Sequence, residues 1–183
     1  GIENDVEKDP KAWIVRENDN RNEPTSYLEY PNPDAKPVTF YLNGGSPGAG
    51  SLALNNSASK GTETLIDNYS FSGEVLAQAD YTKHRLLYVS QTLKEDVHIS
   101  GVSTITIKAA SSKAAVNLSV YLVSLPWNKG RGTKITDNII TRGWADLQNY
   151  KSLTNSTPLK PGKFYQMTFE LQPDDQIIKK GQQ

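Results

Sequence analysis

Between Arg85 and Leu125 the chain alternates apolar and polar residues. Ile105, Ile107 and Ala109 are interleaved with Thr104, Thr106 and Lys108, and Val116, Leu118, Val120 and Leu122 with Asn117, Ser119 and Tyr121. Period two places one set of side chains on each face, so both runs predict half-buried antiparallel strands. The break between them, 110–115, is read as a hairpin connection, although it has neither Asn-Gly nor Asp-Gly to fix a turn type. Leu87 and Val89 begin a third alternating run, with 93–98 as a crossing segment. Val38, Phe40 and Leu42 predict a strand upstream, and 139–144 another downstream. Tyr165, Met167, Phe169 and Leu171 form the cleanest alternation of all.

The stretches between these runs carry turn chemistry. Trp13, Ile14 and Val15 suggest an edge strand or a plug over the core, and Pro24, Pro31, Pro33 and Pro37 make 17–37 an ordered loop on which Tyr27, Leu28 and Tyr30 pack down. Residues 43–64 read as a surface excursion anchored by Leu52 and Leu54. Residues 65–80 are undecided between irregular loop and short strand. Residues 127–132 form a Gly-rich turn, 146–157 a polar connection, and Lys160, Pro161 and Gly162 a turn. About seven or eight short strands and almost no helical periodicity predict an all-β chain, a β-sandwich of jelly-roll topology. An immunoglobulin-like sandwich competes, but its Cys-Trp-Cys core is absent.

Composition narrows the function classes. Lys and Arg total 20 against 20 Asp and Glu, so no overall field draws the chain to nucleic acid or to an anionic membrane. The absence of cysteine excludes disulfides, thiolate metal sites and a cysteine nucleophile, and suits a bacterial cytoplasm. No run approaches the roughly 18 apolar residues of a membrane span. The acidic N-terminus lacks a signal-peptide core, and a start without methionine suggests a piece excised from a longer chain.

Gly44-Gly45-Ser46-Pro47-Gly48 fits G-x-S-x-G after a predicted strand, with acids and histidines downstream. The chemistry fails at Pro47. The amide after the nucleophile must donate to the oxyanion, and proline has no N–H. Residues 51–60 also lack the amphipathic stripe of the helix such an elbow enters, so a small-residue turn is favoured. His84 and His98 have no ligand partners at metal spacing and read as ordinary surface or partly buried histidines. Asp174-Asp175 suits a calcium loop on paper, but a solvated turn after a strand is the heavier reading. No phosphate loop is present. Trp127, Trp144, Tyr81 and Tyr150 lie near predicted loops, where they serve either packing, which is favoured, or stacking on sugars. Asn55, Asn68, Asn117 and Asn155 open N-x-[ST] triplets at a frequency chance explains. No residue is assigned a catalytic, cofactor-binding or metal-binding role.

Longer stretches carry a resemblance. Residues 85–93 (Arg-Leu-Leu-Tyr-Val-Ser-Gln-Thr-Leu), 97–101 (Val-His-Ile-Ser-Gly), 116–123, 140–144 and 159–163 resemble in succession the C-terminal non-catalytic domain of Xaa-Pro dipeptidyl-peptidases. Asp9-Pro10-Lys11-Ala12-Trp13-Ile14-Val15-Arg16 resembles the join after the catalytic domain in the enzyme of lactic acid bacteria. The resemblance implies a galactose-binding-like jelly roll attached to an α/β-hydrolase, a serine exopeptidase that releases Xaa-Pro dipeptides from peptide N-termini, an arrangement shared by cocaine esterase-type acylases. It places the catalytic triad upstream, so no position here inherits a catalytic role and no cofactor is implied. Residues 1–37 are then a linker and join, and 38–183 the sandwich; the family pattern would continue with a further apolar strand after Gly181, so either the chain stops one or two strands short or those strands belong to a separately cleaved piece. Stabilising the catalytic domain or shaping access to it is the expected function. A carbohydrate-binding module and an oligomerisation domain that builds a homo-oligomer are the alternatives.

A chromogenic Xaa-Pro substrate added to this chain alone is expected to stay intact. Turnover abolished by Ser46→Ala would restore the elbow.

Overall fold

The computed structural model describes residues 4–16, 22–44, 48–56, 61–128 and 135–183. Eleven strands lie among them: β1 (Ala12–Ile14), β2 (Thr25–Tyr27), β3 (Tyr41–Asn43), β4 (Gly50–Ala53), β5 (Tyr88–Val89), β6 (Val97–Gly101), β7 (Thr104–Ala109), β8 (Asn117–Val123), β9 (Ile139–Asp146), β10 (Tyr165–Glu170) and β11 (Asp174–Ile178). One short helix, α1 (Gly73–Gln78), accompanies them. The regular structure among the described residues is thus almost all β, as a β-sandwich requires. Two compact units are formed, one of Gly1–Ala35, His98–Val123 and Ile139–Gln176, the other of Lys36–Val97, Ser124–Asn138 and Ile177–Gln183.

The alternation read from the sequence builds the first unit. In the antiparallel pair β7–β10, Ala109 faces Tyr165, Ile107 faces Met167 and Ile105 faces Phe169 on the inner side. On the outer side Lys108 faces Gln166 and Thr106 faces Thr168, whose hydroxyls are 2.7 Å apart. The pair β8–β9 repeats the logic, with Leu118 opposite Ala145 and Val120 opposite Gly143 inside, and Ser119 opposite Trp144 and Tyr121 opposite Arg142 outside. Cross-strand matching of this kind is what fixes register, since a one-residue slip would turn every apolar side chain outward.

The expected hairpin at 110–115 does not form, because β7 and β8 each take another partner. The connection is instead held by the turn before β10. The Leu159 N–H donates to the Ala114 carbonyl at 2.8 Å and the Gly162 N–H to the Ser111 carbonyl at 2.8 Å. With no turn sequence to close the break locally, longer-range bonds determine its path.

The polar connection expected at 146–157 conceals the centre of the core. Leu147 is 0% exposed and packs with Leu159, Tyr165 and Met167. It opens a single 3-10 turn, Leu147–Asn149, whose first amide pairs with the Val116 carbonyl and whose Gln148 N–H is capped by Asp146 Oδ1 at 2.9 Å. The polar neighbours are therefore caps around one buried leucine. Beyond β10, the Leu171 N–H reaches the Ser103 carbonyl and the Gln172 N–H the Arg142 carbonyl, at 2.8 and 2.9 Å. This tail passes so close to β9 that a Cβ on Gly143 would sit 2.8 Å from the Glu170 carbonyl oxygen and from Leu171 Cδ2. Only glycine fits there.

In the second unit β3, β4 and β5 form a mixed sheet, antiparallel between β3 and β4 and parallel between β4 and β5. The strand expected at 38–42 shrinks to Tyr41–Asn43, and the supposed excursion contains β4. Gly50 is required in β4, since a Cβ would meet the Asn43 carbonyl oxygen at 2.6 Å. The undecided stretch 65–80 contains α1, capped by Ser72 Oγ accepting from the Val75 N–H. A six-residue helix is too short for its periodicity to register in the sequence.

Leu147→Ala is expected to lower unfolding free energy by about 2–5 kcal/mol. Leu153→Ala, on an exposed side chain, should stay within about 0.5 kcal/mol; urea unfolding of both variants checks the contrast.

Candidate functional site

The first unit contains a buried charge network that local sequence does not announce. Arg16 follows β1, which pairs with β2. Its Nε donates to Asp175 Oδ1 on β11 at 2.6 Å, its Nη1 to Thr25 Oγ1 at 2.9 Å, and its Nη2 to Tyr27 Oη at 2.5 Å. The arginine and aspartate side chains are only 7% and 2% exposed. His98 on β6 brings Nε2 to 2.9 Å from the same carboxyl oxygen and 3.3 Å from Arg16 Nη2. With Nε2 protonated it donates to Asp175; with Nε2 bare it accepts from Arg16. Nearby, Tyr30 Oη donates to the Asp174 carbonyl and the Asn32 N–H to Ser100 Oγ, both at 3.0 Å. The residues after β2 are thereby fastened to β6 and β11.

Burial alone would raise the Asp175 pKa, but the neighbouring Ser100 hydroxyl, the His98 hydrogen bond and the charges of His98 and Arg16 outweigh it and hold the carboxyl below its ordinary range. Burial likewise pulls the Arg16 pKa down, and the hydrogen bond and charge of Asp175, helped by Tyr27, push it above the usual value. Both groups are thus ionised at neutral pH. The reading of Asp174-Asp175 as a solvated turn is overturned: they begin a strand, and Asp175 needs a cation because it is buried. The network has a carboxylate and an imidazole, but the described hydrogen bonds bring no hydroxyl to His98 Nδ1. Arg16 and His98 share the Asp175 Oδ1 atom. This arrangement fastens segments together.

The other candidates lie elsewhere. His84 Nδ1–H donates to the Ile66 carbonyl at 2.6 Å in the second unit. Ser46 and Pro47 lie outside the described residues. Trp144 is 62% exposed on the outer face of β9, with the Arg142 guanidinium 5.8 Å from its ring. Tyr150 packs on Tyr165 with centroids 4.6 Å apart, so it belongs to the core. Trp127 is half-buried and Tyr81 exposed. Asn68 Oδ1 accepts from the Ser70 N–H, and Asn117 stands in β8 opposite Asp146.

A family model described as the X-Pro dipeptidyl-peptidase C-terminal non-catalytic domain matches residues 4–183. The chain belongs to this family. A protein of Rhodopirellula baltica provisionally named Xaa-Pro dipeptidyl-peptidase is 56% identical over 183 residues, covering 100% of this chain and 29% of the relative. Relatives of the same name from Bacillus cereus and Streptomyces avermitilis are 37% and 28% identical, over 69% and 75% of this chain and 21% and 26% of their own length. This chain therefore spans under a third of each relative. The charge network lies within the matched residues. No helix among the described residues is long and apolar enough to cross a membrane.

Asp175→Asn is expected to cost about 3–5 kcal/mol at neutral pH, because it removes the buried carboxylate charge to which Arg16 Nε donates. Since folding lowers the Asp175 pKa, its contribution is complete above the ordinary carboxyl range and is lost as pH falls through the lowered value. Urea unfolding from neutral pH to about pH 2 should show an acid-side decline that is shallower in Asp175→Asn.

Proposed function

We propose that this chain is the C-terminal accessory domain of a bacterial, cytoplasmic serine exopeptidase that removes Xaa-Pro dipeptides from peptide N-termini. The observation that carries this reading is the family match over 4–183, taken with a chain that covers 29% of a relative named for that activity. In this reading the catalytic serine, aspartate and histidine lie upstream in an α/β-hydrolase domain of the same polypeptide. Residues 1–37 are the join, and 38–183 a galactose-binding-like jelly roll. The arrangement would be the one found in the enzyme of lactic acid bacteria and in cocaine esterase-type acylases.

The domain's contribution is mechanical. A join clamped by Arg16 to Asp175 transmits little slack, so a catalytic domain connected through it is held at one orientation to the sandwich. That restraint stabilises the hydrolase and shapes the approach of peptides to its cleft, while the chemistry needs nothing from this chain. Neither nucleic acid nor membrane is a partner.

A second reading rests on Trp144, whose exposed ring lies beside Arg142 and near Tyr121 on the outer face of β8 and β9. It makes this face a carbohydrate-binding surface, and Trp144→Ala would then abolish signal on a glycan array.

Under the favoured reading, deleting this domain from the parent enzyme shortens the half-life of activity at elevated temperature and changes KM for longer peptides more than for a small chromogenic Xaa-Pro substrate. Unchanged half-life and unchanged KM for both substrates would count against it.

A further inference from the structure

Within residues 65–75 of the second unit, Leu65, Ile66, Tyr69, Phe71 and Val75 are all exposed, Tyr69 at 97%. The backbone beneath them is pinned. The Ile66 N–H donates to the Lys83 carbonyl at 2.8 Å, and His84 returns a bond to the Ile66 carbonyl at 2.6 Å. The rings of Phe71 and His84 lie 4.9 Å apart. Asn68 holds the turn at Ser70, Ser72 caps α1, and Arg85 Nε donates to the Leu76 carbonyl at 2.5 Å while its Nη2 donates to the Ala79 carbonyl. With its backbone held in this way the segment keeps these five large apolar side chains exposed, and exposed apolar surface gathered in one short segment marks an interaction surface.

Two observations identify what covers it. This chain is 29% of the Rhodopirellula baltica relative, so more than two thirds of that polypeptide is tethered to the corresponding domain. A tethered partner acts at high effective concentration, which lets a small patch suffice. The exposed charges around the patch are Asp67, Glu74 and Asp80 against Lys83. A second copy docked symmetrically would bring these acids against one another.

We propose that residues 65–75 dock on the catalytic domain of the same polypeptide, against an apolar surface edged by Lys or Arg. The proposal rests on the accessory-domain reading above and names the face that reading requires.

Hydroxyl-radical footprinting of the full-length parent enzyme, with rates compared to the same protein in denaturant, tests it. Tyr69 and Phe71 should be protected tenfold or more, independent of protein concentration, while Trp144 and Leu153 label freely. Reversing two rim charges, Asp67→Lys with Glu74→Lys, should restore labelling of Tyr69 several-fold, and no change would overturn the basic rim. If Tyr69 and Phe71 label freely while another face of this domain is protected, the patch is wrong and the accessory reading survives. If every exposed aromatic of the domain labels freely, both fall. Protection that disappears on dilution would mean that a second copy is the occupant and would overturn the proposal.

Discussion

A buried charge tolerates no vacancy beside it, and the Arg16–Asp175 pair imposes that condition on residues 159 positions apart. Arg16 must remain after β1, Thr25 and Tyr27 must present oxygens from β2, and His98 must complete the carboxylate's surroundings from β6. Removing either member of the Arg16–Asp175 pair takes the opposite charge away from a buried ion. A pair of this kind adds less net stability than an apolar contact of equal volume would, and what it supplies is specificity of placement. In this chain the pair ties β1 and β2 to β6 and β11.

The apolar core imposes a second, independent condition. Two ladders, β7–β10 and β8–β9, each sort their side chains by period two, and Leu147 fills the space among Leu159, Tyr165 and Met167. The tail at Leu171 and Gln172 bonds toward both Ser103 and Arg142, and Gly143 leaves it room. Neither condition brings a nucleophile to a base. The family to which the chain belongs is described as a non-catalytic domain.

Much of the β content was legible because burial on one face leaves period two in the sequence. β7, β8, β9 and β10 follow their alternating runs closely. Pairing was less legible. The segment 110–115 looked local only because its bonds to Ser111 and Ala114 come from residues some fifty positions downstream. Leu147 was hidden by Asp146, Gln148 and Asn149, whose polarity serves the turn that buries it. Asp175 was misread because paired acids suggest solvent. Yet period two puts it on the same side as Ile177, and an acid on an apolar face is a sign that a cation waits opposite. Nothing near Arg16 could say which acid that was.

Under the proposed accessory role, this chain and a catalytic domain of the same polypeptide behave as one mechanical body. Calorimetry of the intact parent enzyme tests that most directly. One cooperative unfolding transition, shifted downward as a whole by Asp175→Asn, is the predicted result. Two independent transitions, with only the smaller one moved by that substitution, would contradict it.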